Sequence, residues 1–242
     1  MKTRVTLVRH GLTNENLTFT MIGITDPPLH PLGHEVLERV GERLRTEVFD
    51  RAYASPLTRA IQSAKEITKY HSNLDLVIEP RLAEINLGVW EGRLSSEVFA
   101  NRDTDPIVQD ALNEDLEDFR VPGGEGRREA LDRFKVALES ITAKDPGGNI
   151  LVVTHGGLLA LLHCEFNKEA LGRFRYHHPK HGSLSVVELT TSEIEEGSPK
   201  LDTSASRIDG ARIEFITYDD QAHIDEDLDE RIKVTAAAMR RR

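Results

Sequence analysis

The chain has 242 residues, of which 38% are apolar and 30% are charged, and its formal charge is −10. This composition is typical of a folded, water-soluble protein and argues against a disordered or membrane-embedded one. No apolar run approaches the ~20 residues that span a bilayer, and a nucleic-acid partner is disfavoured because it would require a basic surface. Cys164 is the single cysteine, and no apolar signal region opens the chain, which indicates a cytoplasmic location.

Apolar β-type runs alternate with helical patterns along the chain. The predicted strands are Val5–Val8, Tyr53-Ala54, Leu74–Ile78, Asn149–Thr154, Ser183–Leu189 and Ala211–Tyr218. Apolar stripes with helical period lie at Leu32–Leu44 (opened by Pro31), Leu57–Ile67 and Leu131–Ile141, and a nearly all-apolar helix is predicted at Leu158–Cys164. The alternation predicts a single α/β layered domain over residues 1–242, with a largely parallel sheet. The last two strands are predicted to pair antiparallel across a mobile polar connector, Thr190–Gly210.

Two charged segments stand outside this alternation. Phe99–Val121 carries seven acidic residues between Asp103 and Asp118, and it is interpreted as an inserted, mostly solvated helical cap at about 99–121. Residues 219–242 form a charged C-terminal tail that is acidic up to Glu230 and ends in three arginines. The tail is predicted to be a solvated helix with a frayed end.

The first predicted strand ends in Arg9-His10-Gly11, which places a guanidinium beside an imidazole at a glycine turn. Arginine offers a planar set of donors that matches phosphate oxygens, and histidine can attack phosphorus or transfer protons. Taken singly, Arg9 would be interpreted as part of a surface ion pair and His10 as a turn residue, so the interpretation depends on the rest of the chain.

Side chains that could bind the same anion also follow two other predicted strands. A Ser55-Pro56 turn opens a helix and sets Arg59 in its first turn, where free backbone amides favour an anion. A second histidine–glycine turn, His155-Gly156, follows a buried strand. Ligands of open α/β sheets bind at the carboxyl ends of strands, so His10 and His155 are expected to share one pocket. Glu84 and Glu91 lie close together in sequence, and either one could supply a general acid.

These motifs together resemble the histidine phosphatase superfamily, which has the phosphoglycerate-mutase-like fold. The resemblance extends in order from residue 4 to about residue 190, and its motifs are Arg9-His10-Gly11-Leu12-Thr13 with Asn16, Ser55-Pro56-Leu57-Thr58-Arg59, Glu84 in a Glu-x-x-x-Gly-x-x-Glu-Gly frame, and Thr154-His155-Gly156. It implies a three-layer α/β/α sandwich around a mixed, mostly parallel six-stranded sheet. It also implies catalysis with no metal and no cofactor.

The resemblance assigns a role to each motif residue. His10 would be the nucleophile that becomes phosphohistidine, and Glu84 would protonate the leaving oxygen and then deprotonate water. Residues that would grip the phosphoryl oxygens are Arg9, Arg59 and His155. Residues that would make further substrate contacts are Asn16, Gly23 and Gly156.

Three further histidines and three further arginines lie outside these motifs. His177, His178 and His181 are interpreted as loop histidines that border the pocket, because Pro179 keeps the first and last off one helix face and no cysteine is near enough to complete a zinc site. Arg93, Arg127 and Arg128 could form a second anion site, but a solvated surface is an equally good interpretation.

The predicted function is therefore hydrolysis of a small phosphorylated metabolite by a phosphomonoesterase. A cofactor-dependent phosphoglycerate mutase is the alternative within the family, and a non-catalytic phospho-ligand-binding protein is the alternative from another class. Mutases of this family carry a basic, proline-rich insert, whereas Phe99–Val121 is acidic and would repel a substrate that already bears a carboxylate. The sequence leaves the natural substrate and the oligomeric state open, a homodimer included.

Overall fold

Strands and helices follow one another in the alternating order that the sequence predicts. The protein was analysed as a computed structural model that describes residues 1–191, 207–208 and 211–241. Its elements in chain order are β1 (Lys2–Arg9), α1 (Asn14–Thr18), α2 (Pro31–Leu44), β2 (Arg51–Ala54), α3 (Thr58–Thr68), β3 (Leu76–Ile78), α4 (Ser95–Val98), α5 (Pro106–Leu112), α6 (Arg127–Lys144), β4 (Asn149–Thr154), α7 (Gly156–Asn167), β5 (Leu184–Thr191), β6 (Arg207–Ile208), β7 (Ala211–Asp220) and α8 (Glu226–Met239). Within these described ranges, no helix is both long and apolar enough to cross a bilayer.

The strands form one mixed sheet in the order β3-β2-β4-β1-β5-β7-β6. Strands β3, β2, β4 and β1 pair in parallel, and β5 runs antiparallel to both β1 and β7. Five of the six principal strands therefore point the same way, which confirms the predicted six-stranded, mostly parallel sheet. The two-residue β6 adds a short edge that the sequence did not predict. Most of the predicted connector Thr190–Gly210, namely residues 192–206 and 209–210, lies outside the described residues.

Each face of the sheet carries its own apolar layer, because successive strand residues point to opposite sides. On β4, Ile150 and Val152 pack against α6 and α7, whereas Leu151 and Val153 pack with α2 and α3. Helix α2 begins at Pro31, where the imidazole of His30 accepts the backbone N–H of Leu32 at 3.0 Å. The result is the α/β/α sandwich expected from the sequence.

The C-terminal segment differs from its prediction as a charged, solvated tail over residues 219–242. Its first residues belong to β7, and α8 docks on the α2–α3 side of the sheet with Leu228 and Ala236 buried. Two arginines fix the helix, since Arg231 pairs with Glu35 and Arg240 donates from Nε to the carbonyl of Leu17 at 3.1 Å. An amphipathic stripe hidden among many charges explains why the sequence suggested a solvated helix.

The acidic insert has a small apolar core of its own around Trp90, formed by Val98, Val108, Ala111 and Val121. Its irregular backbone is held by Arg127, which is only 4% exposed. The guanidinium donates to the carbonyl oxygens of Ala111, Leu116 and Asn113 at 2.5, 2.7 and 3.4 Å. It also lies between the rings of Phe119 and Phe174. Burial, with a smaller contribution from Arg175, lowers the pKa of Arg127 to about 10, so it stays charged at neutral pH.

Replacement of Arg127 should therefore destabilise the insert. Arg127→Met keeps the packing between the two rings but leaves three carbonyls, one buried and two partly buried, without their donor, and we expect a loss of about 2–4 kcal/mol in the free energy of unfolding. Urea denaturation and limited proteolysis within residues 99–121 measure the effect.

Arg128→Met is the matched control, since Arg128 is the next residue of α6 and forms surface ion pairs with Glu117 and Glu165. Such pairs contribute about 0–1 kcal/mol. Equal losses in the two variants would contradict a special role for Arg127.

Candidate active site

The predicted site residues meet at the carboxyl ends of three adjacent parallel strands. Arg9, at the end of β1, is in register with Thr154 of β4, and Ala54 of β2 is in register with Val153. His10 and His155 are therefore the residues that leave two neighbouring strands at the same edge. Their rings lie 5.0 Å apart between centroids, and His10 is only 3% exposed.

His10 is held as a neutral imidazole with a lone pair on Nε2. Its Nδ1 lies 2.7 Å from the carbonyl oxygen of Gly11, which can only accept, so Nδ1 carries the proton. Nε2 in turn accepts a hydrogen bond from Nε of Arg59 at 3.3 Å. Burial, followed by the charge of Arg59, lowers the pKa of His10 well below its ordinary value. A neutral Nε2 is the form of histidine that can act as a nucleophile.

Arg59 lies in the first turn of α3, as predicted, and its side chain is fully buried. Its two terminal nitrogens donate to the carbonyl oxygens of Thr25 and Gly23, each at 2.7 Å. Burial lowers the pKa of Arg59, and the carboxylate of Glu84 opposes that shift most strongly. The bonds to the 23–25 loop fix the plane of the guanidinium and direct its Nε edge at His10.

Arg9 approaches the same cluster from β1 and is packed against the start of α7. Its Nη1 donates to the carbonyl oxygen of Pro179, whereas its buried Nε has no partner among the described residues. A side chain at Gly156 would place Cβ 2.7 Å from Cζ of Arg9, so this glycine makes room for the guanidinium. Burial, partly offset by Glu84, lowers the pKa of Arg9 to about 10.

His155 is the N-cap residue of α7 and is fully buried. Its Nε2 shares a 2.6 Å hydrogen bond with the hydroxyl of Ser55, and that hydroxyl also accepts the backbone N–H of Leu57 at 3.3 Å. The serine oxygen accepts from Leu57 and its proton can be donated to Nε2, an arrangement in which the histidine proton lies on Nδ1. That Nδ1 is buried and has no partner among the described residues.

Glu84 stands over the start of α7. Its two carboxylate oxygens accept the backbone N–H groups of Ile85 at 2.9 Å and Gly157 at 3.0 Å. A Cβ at Gly157 would lie 2.6 Å from the Glu84 carboxylate, so only glycine permits this approach. Arg133 of α6 holds the preceding backbone, because it donates to the carbonyls of Arg81 and Ala83 while it pairs with Glu125.

Glu91, the other carboxylate predicted as a possible acid, is surrounded by donors. It accepts the backbone N–H groups of Gly23, Ile24, Thr25 and Leu87, each at 2.9–3.0 Å, and the hydroxyl of Thr25. Burial alone would raise its pKa, but the bonds from Thr25, Leu87 and Gly23 hold the pKa of Glu91 below its ordinary value. The carboxylate thereby stabilises the loop whose carbonyls orient Arg59.

The two predicted secondary contacts, Asn16 and Gly23, have different surroundings. Asn16 belongs to the capping box of α1, where its Oδ1 accepts the N–H of Thr13 at 3.0 Å, and it also lines a cavity beside the cluster. Gly23 directs its N–H to Glu91 and its carbonyl to Arg59. In this arrangement Gly23 positions Arg59, and its N–H is already engaged.

That cavity has a volume of about 450 Å³. It meets the cluster at Arg9 and His181, and the lining described by the structure is Arg9, Leu12, Asn16, Leu17, Phe19, Thr20, Met21, Ser95, His178, His181, Ile232, Ala236 and Arg240. His181 contacts His10 edge-on and shares a 3.2 Å hydrogen bond with its carbonyl. His178 and His181 thus border the pocket as predicted, whereas His177 pairs with Glu169. The acidic residues of the insert, predicted to repel a carboxylated substrate, are not among the described lining residues.

Only one group of three metal-capable side chains occurs within the described residues, and it is Cys164, Glu169 and His177, whose ligand atoms lie within 4.8 Å of one another. The expectation that no cysteine lies near the loop histidines is therefore wrong for His177, because folding brings Cys164 of α7 to it. Burial raises the pKa of the Cys164 thiol to about 12. Glu169 already binds Arg173 and His177 at 2.9 Å each. An ion-pair network therefore accounts for the group.

The arginines considered for a second anion site are mostly committed elsewhere. Arg127 holds the insert, and Arg128 pairs with Glu117 and Glu165. Arg93 is exposed and is not among the described residues that line the cavity. Arg240 does line it, although the sequence predicts a frayed tail there. Arg133 is not marked by any local pattern in the sequence, because it acts through carbonyls that are distant along the chain.

Comparison with known proteins agrees with this geometry. A family model described as the histidine phosphatase superfamily (branch 1) matches residues 5–198. Phosphoglycerate mutase-like protein 4 of Arabidopsis thaliana is 33% identical over 161 residues, which cover 66% of this chain and 69% of that protein. A probable phosphoglycerate mutase GpmB of Proteus mirabilis is 32% identical over 159 residues, which cover 66% and 72%.

Solved structures share the fold over most of the chain. Bacillus stearothermophilus YhfR has a TM-score of 0.75 and 26% identity, and the match covers 92% of this chain and all of that one (100%). A mycobacterial glucosyl-3-phosphoglycerate phosphatase has a TM-score of 0.74 at 22% identity, with coverage of 91% and 100%. With the matched family model and the shared arrangement of strands, these findings show that the chain belongs to the histidine phosphatase superfamily.

Proposed function

We propose that this protein is a metal-independent phosphatase that hydrolyses a small phosphate monoester through a phosphohistidine at Nε2 of His10. The observation that carries the proposal is the buried cluster around that atom. Arg9, Arg59 and His155 converge on a neutral imidazole, and two of their nitrogens, Nε of Arg9 and Nδ1 of His155, are buried without partners among the described residues. Buried donors of this kind are normally satisfied, and a phosphoryl group would satisfy both.

In the first half-reaction, Nε2 of His10 attacks phosphorus and the bond between phosphorus and the leaving oxygen breaks. Nδ1 stays protonated against the carbonyl of Gly11, so the ring becomes a phosphorylated imidazolium with its orientation unchanged. Arg9, Arg59 and His155 stabilise the charge on the three peripheral oxygens, which is the main requirement of phosphoryl transfer. Glu84 donates the proton that the leaving oxygen takes up.

In the second half-reaction, Glu84 accepts a proton from water as the water oxygen attacks phosphorus. The bond from phosphorus to Nε2 breaks, inorganic phosphate forms, and His10 returns to its neutral state. One carboxylate thus acts first as acid and then as base. All positive charge in this scheme comes from side chains, so no step requires a metal ion.

Two features favour hydrolysis over phosphoglycerate mutase activity. The cavity of about 450 Å³ beside Arg9 and His181 has room for water, whose share of liquid volume is about 30 Å³, next to a bound phosphoryl group. The insert adds no cation to the described lining. Solved structures of the same fold include proteins titled alpha-ribazole phosphatase and phosphoserine phosphatase. The mutase alternative is kept because curated relatives are named probable phosphoglycerate mutases.

Loss of the nucleophile is the first test. His10→Ala should reduce hydrolysis of p-nitrophenyl phosphate below detection in buffer that contains EDTA, while the circular dichroism spectrum is unchanged. Wild-type enzyme quenched during turnover should retain phosphate through a bond that survives alkali and breaks in acid. His34→Ala, which removes a surface histidine paired with Glu66, is the control and should keep activity. Substantial activity in His10→Ala, or an EDTA-sensitive wild type, would refute the mechanism.

The general acid is tested by leaving-group dependence. Glu84→Gln should slow the hydrolysis of alkyl phosphates ~10²–10⁴-fold more than that of p-nitrophenyl phosphate, whose leaving group needs no proton. Glu91→Gln should lower both rates by the same factor, because it acts through the loop that orients Arg59. A leaving-group effect confined to Glu91→Gln would reverse the two assignments.

Product analysis separates the phosphatase from the mutase. Wild-type enzyme given 3-phosphoglycerate with a trace of 2,3-bisphosphoglycerate should release inorganic phosphate or leave the substrate unchanged. Phosphorus NMR follows all products at once. Rapid interconversion of 2- and 3-phosphoglycerate without phosphate release would establish the mutase instead.

A further inference from the structure

One wall of the cavity beside Arg9 comes from the C-terminal helix. Ile232 and Ala236 of α8 line it, together with Arg240, the residue that caps the helix, and with residues in and after α1. The matched family model ends at residue 198, before this helix begins. This wall of the cavity is therefore built from a part of the chain that lies beyond the matched family model and to which the catalytic motifs assign no role.

The charge of this cavity is opposite to that of the whole protein. The chain has 41 acidic and 31 basic residues, yet no aspartate or glutamate is found among the described residues that line the cavity. Its charged lining residues are Arg9, at the catalytic end, and Arg240. A pocket lined by one sign of charge concentrates ligands of the opposite sign.

The guanidinium of Arg240 is oriented by two contacts that leave most of its donors unused. Its Nε donates to the carbonyl of Leu17, and its Cζ lies 3.8 Å from the ring centroid of Phe19. The two terminal nitrogens have no partner among the described residues. A planar guanidinium fixed in this way can present both nitrogens to a carboxylate or a phosphate.

Phe19, on which the guanidinium of Arg240 stacks, has an unusual backbone conformation. It ends α1 with a φ of 58° and a ψ of 31°, in the left-handed region that a bulky residue rarely adopts, and its side chain is 54% exposed. Strained residues of this kind occur where the surrounding structure requires them, often at ligand sites. Here the strain places the ring at the edge of the cavity, beneath the guanidinium.

We infer that Arg240 binds a second anionic group of the substrate, a carboxylate or a second phosphate, on the leaving-group side of the scissile bond. This inference rests on the proposed phosphatase function and deepens it by naming the substrate class. Arg9 and the histidine cluster hold the phosphoryl group that is transferred, and Arg240 holds the other charge. Because this second contact does not change during phosphoryl transfer, it lowers KM and leaves kcat largely unaffected.

The test uses alkyl phosphates of two to five carbons in matched series, with a terminal methyl group, a terminal carboxylate or a terminal second phosphate. Wild-type enzyme should prefer one of the doubly anionic series in kcat/KM. Arg240→Gln, which can still bond to Leu17 and stack on Phe19, should reduce that preference ~10–100-fold, mainly through KM. Arg240→Lys should restore most of it. The carboxylate and bisphosphate series show which anion the site takes.

Arg241→Gln is the matched control, because it removes the same charge one residue further along, outside the described lining. It should leave the preference unchanged. No wild-type preference in either series, or an equal loss in Arg241→Gln, would overturn the inference. A preference that survives Arg240→Gln would also overturn it and would mean that Arg240 only fastens α8 to Leu17.

Dissociation constants of the same compounds, measured by calorimetry on His10→Ala protein with and without Arg240→Gln, test binding without turnover. The double variant should bind doubly anionic compounds ~10–100-fold more weakly than His10→Ala alone. If binding depends on Arg240 but the wild-type enzyme hydrolyses none of the compounds, the anion site is supported and the proposed phosphatase function is refuted. If the wild-type enzyme hydrolyses the compounds but their binding does not depend on Arg240, the phosphatase function is supported and the anion site is refuted.

Discussion

The burial of Arg59 beside His10 is the constraint on which the site depends. A guanidinium removed from water is costly unless its donors are satisfied, and here two carbonyls and the imidazole satisfy them. Burial, and next the same charge, lower the pKa of His10 and favour its neutral form. The protonation state of His10 therefore depends on a buried cation fixed against it, and the loop that carries those carbonyls must hold its shape.

A chain of supporting contacts maintains that shape. Glu91 gathers four backbone amides so that Gly23 and Thr25 turn their carbonyls toward Arg59. Ser63 donates to the carbonyl of Arg59 at 2.7 Å and accepts the N–H of Gly11 at 3.0 Å, which ties α3 to the turn after β1. Each of these groups acts through another residue. Substitutions in these supporting residues would therefore displace the guanidinium of Arg59 without touching His10.

Two further segments, the acidic insert and helix α8, differ in how they contribute to the cavity beside Arg9. The acidic insert is built on Trp90 and on the buried Arg127, and it leaves its carboxylates in solvent. Helix α8 instead docks on the sheet and contributes Arg240 to the cavity. The insert contributes no residue to the described lining of the cavity, whereas the C-terminal segment contributes Ile232, Ala236 and Arg240, so of the two only the C-terminal segment is placed to contact a ligand there.

The sequence by itself determined the features that depend on residues close together in the chain. Apolar alternation gave the layered α/β fold, and the turns after β1, β2 and β4 placed Arg9, Arg59 and His155 at one sheet edge, because the carboxyl ends of parallel strands meet there. Only the tertiary structure distinguished the surroundings of the two carboxylates, since Glu91 accepts amides of the 23–25 loop and Leu87, whereas Glu84 accepts the amide of Gly157 at the start of α7. It also decided that Arg127 holds the insert and that Arg240 lines the cavity. Whether an arginine meets solvent, carbonyls or a ligand depends on chain segments that are distant in sequence and brought to it by folding.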